Sequence, residues 1–111
     1  MEVHFPSNKL KQLIQNDRKR QHKFGPENAR AILVRLDNLR LAENLAAMYN
    51  LPGGFHELRG DRAGSFAMNL KSGYRLILEP AHDPVPRKPD GGIDLEAVTA
   101  VFVVAVEDYH D

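Results

Sequence analysis

The chain has 111 residues, and 15 Lys and Arg balance 15 Asp and Glu. This is one domain's length, its 42% hydrophobic content suffices for a compact core, and zero net charge argues against a protein that coats nucleic acid by bulk electrostatics. The absence of cysteine excludes a disulfide scaffold, a thiol nucleophile and a cysteine-ligated zinc site.

No apolar run reaches the roughly 18–20 residues of a membrane span. The start Met1–Pro6 lacks the basic flank and apolar stretch of a signal peptide, so a cytoplasmic protein is expected. The charge is unevenly placed. Residues 1–62 hold 11 Lys/Arg against 7 Asp/Glu, and residues 63–111 hold 4 against 8.

Ser7 is a good N-cap, and Leu10, Leu13 and Ile14 share one helical face, which predicts a short helix from Asn8. Residues 16–23 read as a polar, basic connector. Gly25-Pro26 breaks the chain, and Pro26 suits a first helical turn. Ala29, Ile32, Leu33, Leu36 and Leu39 then form a stripe of helical period from Pro26 to Arg40. A shift of phase suggests a separate short helix over Ala42–Met48, ended by Leu51-Pro52-Gly53-Gly54.

The rest has the period of strands. Phe55–Arg59 reads as a short strand and Gly60–Gly64 as a turn. Phe66, Met68 and Leu70 alternate, Lys71-Ser72-Gly73 is a tight hairpin connection, and Tyr74–Leu78 returns. A Pro-rich loop insertion occupies about 80–97, with Asp83, Asp90, Asp94 and Glu96 against Arg87 and Lys88. Val98–Val106 is almost wholly apolar and reads as a central strand buried on both faces. Helices followed by strands indicate an α+β fold over residues 1–111, with N-terminal helices on one face of an antiparallel sheet of about four strands.

Phosphate-loop, dinucleotide-binding, zinc-protease and serine-elbow motifs are all missing. Two ionisable clusters remain, His56–Arg62 and Glu107–His110, with Arg75 on the hairpin between them. On one sheet face such a set can cleave RNA without a metal. The ribose 2′-OH attacks the adjacent phosphate, cations stabilise the crowded phosphorane, and neutral His or Tyr moves the protons. Scattered histidines and unpaired carboxylates give no metal-ligand spacing.

Leu58–Phe66, Tyr74-Arg75-Leu76-Ile77 and Glu107-Asp108-Tyr109-His110 together resemble the HigB-like killer-protein branch of the RelE/ParE toxin superfamily. The likeness runs from about residue 26 to the end. It implies a RelE-like, microbial-RNase-like fold and the toxin of a type II toxin–antitoxin pair, an endoribonuclease that cuts mRNA on the ribosome without metal or cofactor. It also implies three partners: the ribosome, its mRNA and a helix-turn-helix HigA-like antitoxin.

Carried over by position, the site comprises His56, Arg59, Arg75, Asp108, Tyr109 and His110. Arg59 and Arg75 would neutralise the scissile phosphate. His56, Asp108 or His110 would share proton transfer, and Tyr109 would stack on a base. Arg62, Arg30 and Arg40 are candidates for RNA contact, the last two also for an acidic antitoxin. Arg59 stands where the family has Lys, and Arg cannot serve as a general base. With the acidic insertion and the neutral total, that motivates a second reading: a non-catalytic module of the same fold that binds a partner.

Overall fold

The computed structural model describes residues 1–109. Its elements are β1 (Glu2–His4), α1 (Asn8–Gln15), α2 (Asp17–Leu41), β2 (His56–Glu57), β3 (Phe66–Asn69), β4 (Tyr74–Pro80) and β5 (Ala100–Asp108), with short 3-10 turns at Leu45–Asn50, Gly60–Arg62 and Leu95–Ala97. The strands form one sheet in the order β1-β5-β4-β3-β2. All neighbours are antiparallel except β1, which runs parallel to β5 with Glu2 opposite Ala100. The α+β expectation holds, with five strands instead of about four. No helix among the described residues is long and apolar enough to cross a membrane.

Ser7 caps α1 as its spacing predicts, its hydroxyl accepting from the Leu10 N–H at 3.1 Å. The largest departure from the sequence reading follows at once, because residues 17–24 are helical. Asn16 ends α1 and caps α2, its side-chain oxygen accepting from Lys19 N–H at 3.0 Å. At Gly25 the backbone leaves helical geometry (φ 81°, ψ 164°) and α2 kinks, so Pro26 does open the second arm. Arg20, read as part of a solvated connector, is buried inside this corner. Its guanidinium donates to Ile14 O at 2.9 Å, Ala29 O at 3.1 Å and Asp17 at 2.6 Å, which ties α1 to the second arm of α2.

The stripe Ile32, Leu36, Leu39 packs on one sheet face with Ile14, Phe66, Met68, Leu76, Leu78, Val101 and Val103. Two polar ties fix the helix over the sheet. Asn28 Oδ1 accepts from Lys71 N–H at 2.8 Å, and Arg35 Nε donates to Asn69 O at 3.1 Å. The segment 80–97 is more ordered than a Pro-rich loop suggests. Arg87 pairs with Ile93, and Ile93, Val85 and Leu95 pack into this same helix-side core. The insertion therefore folds away from the opposite sheet face. On that face β5 is only partly covered, so the expectation of burial on both sides is corrected. A smaller patch of Leu58, Ala67 and Ile77 sits there, flanked by Val104 and Ala105.

Candidate nucleic-acid interface on the open sheet face

The face away from the helices is where the ionisable residues collect. In the β4–β5 ladder Arg75 lies directly opposite Glu107, and Ile77 opposite Ala105. The turn that makes this hairpin geometry possible is Lys71–Tyr74. Ser72 and Gly73 both take positive φ (54° and 77°), and the Tyr74 N–H donates to Lys71 O at 3.1 Å, which closes the turn. A third group arrives from the 58–65 segment. Leu58 is buried against Ala67 and Ile77, and its N–H donates to Ser65 O at 2.9 Å, which closes the segment over the sheet. The Gly60–Arg62 turn then points Arg62 at the ladder.

The result is a three-residue ion cluster. Glu107 Oε1 accepts from Arg62 Nη1 at 2.5 Å, from Arg75 Nη2 at 2.8 Å and from Arg75 Nε at 2.9 Å. Arg75 also lies 4.9 Å from the centre of the Tyr109 ring, a cation–π distance. The hydrogen bond from Arg62, then the contribution of Arg75, holds the Glu107 carboxyl below the usual carboxylate range, against an opposing push from partial burial. The same bond raises the Arg62 guanidinium above its ordinary value. Two cations share one anion within the cluster, and Glu79, on the same face, supplies a second carboxylate that acts on Arg62.

His56 and Arg59 belong to a neighbouring feature. An open groove of about 500 Å³ at the β2 edge is lined by Tyr49, His56, Glu57, Leu58, Arg59, Gly60 and Ala63. His56 Nδ1 lies 2.8 Å from Gly54 O. A carbonyl only accepts, so Nδ1 is the donor, and in the neutral ring the lone pair is on Nε2. His56 sits opposite Ala67, in the same cross-strand row as Ile77. At about 4.8 Å per strand, that puts it roughly 10 Å across the sheet from Ile77, and Arg75 lies two residues, roughly 7 Å, further along β4, so the two positions are about 12 Å apart. Arg59 is exposed and, among the described residues, makes no ion pair.

The remaining candidates divide. Alternation along β5 places Asp108 opposite Tyr74, on the face away from Glu107 and Arg75. Arg30 and Arg40 are exposed on α2, which packs on the far side of the sheet from the cluster. His110 lies outside the described residues. Glu107 was read as part of the terminal cluster without a role, yet it is the centre of the site, and Tyr49 was not singled out at all. No three His, Asp or Glu side chains among the described residues converge as metal ligands do.

Among solved structures the chain matches a YoeB/ParE toxin from Agrobacterium tumefaciens, with a TM-score of 0.57 over 99% of this chain and 100% of that one, at 13% sequence identity. No protein-family model and no curated protein matches the sequence. The fold is that of a RelE/ParE-type toxin, and at this identity the likeness carries the architecture alone.

Proposed function

We propose that this protein is the toxin of a type II toxin–antitoxin pair and that it cleaves mRNA presented by the ribosome. The observation that carries the reading is the Arg62–Glu107–Arg75 cluster with Tyr109 on the open sheet face, beside the His56–Arg59 groove. Two convergent guanidinium groups and a ring stacked on one of them suit a phosphodiester and its base.

In this reading the 2′-oxygen forms a bond to phosphorus as the bond from phosphorus to the 5′-oxygen breaks. A basic nitrogen takes the 2′-OH proton, and an acid delivers a proton to the leaving 5′-oxygen. The products are a 2′,3′-cyclic phosphate and a 5′-OH. Arg62 and Arg75 stabilise the extra negative charge of the phosphorane. His110, named by resemblance, serves proton transfer at this phosphate, and His56, in the edge groove two strands from Arg75, contacts the adjoining nucleotide. Arg59 holds a neighbouring phosphate in the edge groove. Asp108, facing the other side, serves less directly.

The partner is an acidic, HigA-like helix-turn-helix antitoxin. It would dock on the outer face of α2, where three cations, Arg30, Arg35 and Lys71, and one carboxylate, Glu27, surround Ala31 and Val34 in an open groove. Charge complementarity is the ground for that placement. It assigns Arg30 and Arg40 to the antitoxin in preference to RNA.

Induced expression in a bacterial host, with primer extension on translated mRNA, tests the reading. The wild type arrests growth and leaves cuts in ribosome-bound message. Arg75→Ala lowers cleavage by about 10²–10³, the usual loss when one transition-state donor is removed. Arg75→Lys recovers part of it, because a point charge cannot replace a fork. Growth arrest without cuts, undiminished in Arg75→Ala, favours the second reading. That alternative, a partner-binding module without catalysis, draws its support from the carboxylate already seated between the two arginines.

A further inference from the structure

The donors that would grip a substrate phosphate are already engaged. Arg75 presents Nε and Nη2, the fork edge suited to a two-point grip on an anion, and both bond Glu107 Oε1, as does Arg62 Nη1. The pair is neither fully solvated nor sealed. The Arg75 and Glu107 side chains are 19% and 29% exposed, so the carboxylate is screened less than a surface ion yet stands open to an incoming group. The ladder register also sets Glu107 directly opposite Arg75.

We propose that Glu107 is a resident stand-in for the substrate's phosphate, so that a phosphodiester reaches Arg62 and Arg75 by exchange with the carboxylate. This rests on the reading of the cluster as a phosphate site. An anion arriving while Glu107 holds its place meets a like charge within a few ångströms. An anion that takes the fork must turn Glu107 out to water. Either way free RNA binds weakly, and the extra contacts of a large platform are needed to complete the exchange. Glu107 thereby sets the threshold for which RNAs are engaged, a role that no loss of proton-transfer chemistry would reproduce.

The test is binding of a short, uncleavable 2′-O-methyl RNA oligonucleotide, followed by fluorescence anisotropy at about 0.15 M salt, where the Debye length is about 8 Å, with thermal melts to establish that each variant is folded. Glu107→Gln keeps the shape and one acceptor oxygen and removes the charge. It binds the probe about tenfold tighter than wild type, a difference of about 1.4 kcal/mol. The gain disappears in the Glu107→Gln/Arg75→Ala double variant. Glu96→Gln, on the insertion, removes one charge elsewhere and changes affinity by less than about twofold, since surface charges beyond a Debye length are screened.

A folded Glu107→Gln protein that binds no tighter than wild type, while Arg75→Ala binds less, overturns the exchange and leaves the phosphate site standing. A gain that persists in the double variant, or is matched by Glu96→Gln, overturns it in favour of bulk charge. Unchanged affinity in both Arg62→Ala and Arg75→Ala removes the phosphate site itself, and this inference with it.

Discussion

Replacing Arg20 by Ala is the sharpest test of the helical corner. Arg20 is 2% exposed, and its guanidinium bonds Ile14 O and Ala29 O, main-chain carbonyls on the two sides of the Gly25 kink. Truncation leaves Ile14 O, in the last turn of α1, without that donor at about 1–3 kcal/mol, and removes a second bond from Ala29 O, which stays within the helical ladder, at about 0.5–1.5 kcal/mol. It also opens a void where the aliphatic stem lay. The third bond, to Asp17, adds little, because the Asp17 side chain is 82% exposed and such pairs contribute about 0–1 kcal/mol. The total is about 3–5 kcal/mol, of the order of half the stability of a small domain. At about 4 °C per kcal/mol for this chain length, the melting temperature falls by roughly 12–20 °C. Calorimetry or far-UV circular dichroism measures it. Arg20→Met, which keeps most of the stem, recovers only the packing part. A melt within about 3 °C of wild type for Arg20→Ala would refute the claim that this guanidinium fastens the corner.

Three further outcomes follow from the geometry. Gly53 holds φ at +125°, and a Cβ there meets Arg35 Nε at 2.9 Å, so Gly53→Ala costs about 1–3 kcal/mol and is read by urea denaturation. The Glu107 carboxyl is depressed on folding. Its stabilisation is therefore present above the unfolded value of roughly 4.3 and is lost as pH falls through the folded one. The stability gap between wild type and Glu107→Gln stays flat near neutrality and closes in acid, where a gap that instead grew would reverse the assigned sign. Deleting Val104 removes an extra residue opposite Ile77/Leu78 and keeps every later pairing. Deleting Val106 moves Glu107 to the Leu76 position on the helix-side core and unfolds the domain by circular dichroism, as an uncompensated buried carboxylate should.

Those deletions bear on what could be read from the sequence. Strong periodicity was enough for the second arm of α2, for β3 and β4 and for the hairpin at Lys71–Gly73. β1 has three residues and pairs with a strand almost a hundred positions away, so neither its length nor its pattern announces it. Arg20 looks like any solvated base until the kink brings two carbonyl groups to it.

Glu107 was hidden by one residue. The β4–β5 ladder pairs Leu78 with Val103 but Ile77 with Ala105. Without that bulge, an even count would set Val106 against Arg75 and turn Glu107 toward the core. Because side chains alternate, a shift of one exchanges the two faces of everything beyond it. With an 80–97 insertion between the strands, no count along the chain could have fixed that register.

The balanced total charge now has a spatial meaning. Ile93, Val85 and Leu95 anchor the acidic insertion on the helix side, so its carboxylates do not offset Arg62, Arg75 and Arg59 on the open face. What opposes them there is local. Glu107 lies within the cluster, and Glu79 accepts from the Ser65 hydroxyl at 3.3 Å beside the 58–65 segment. A zero sum over the chain therefore says little about the potential at the site. On the proposed reading, these two carboxylates beside the arginines weaken the hold on free RNA more than the insertion does. A site built this way discriminates by what must be displaced. That fits an enzyme whose substrate is delivered already positioned, in preference to one that searches free RNA by charge.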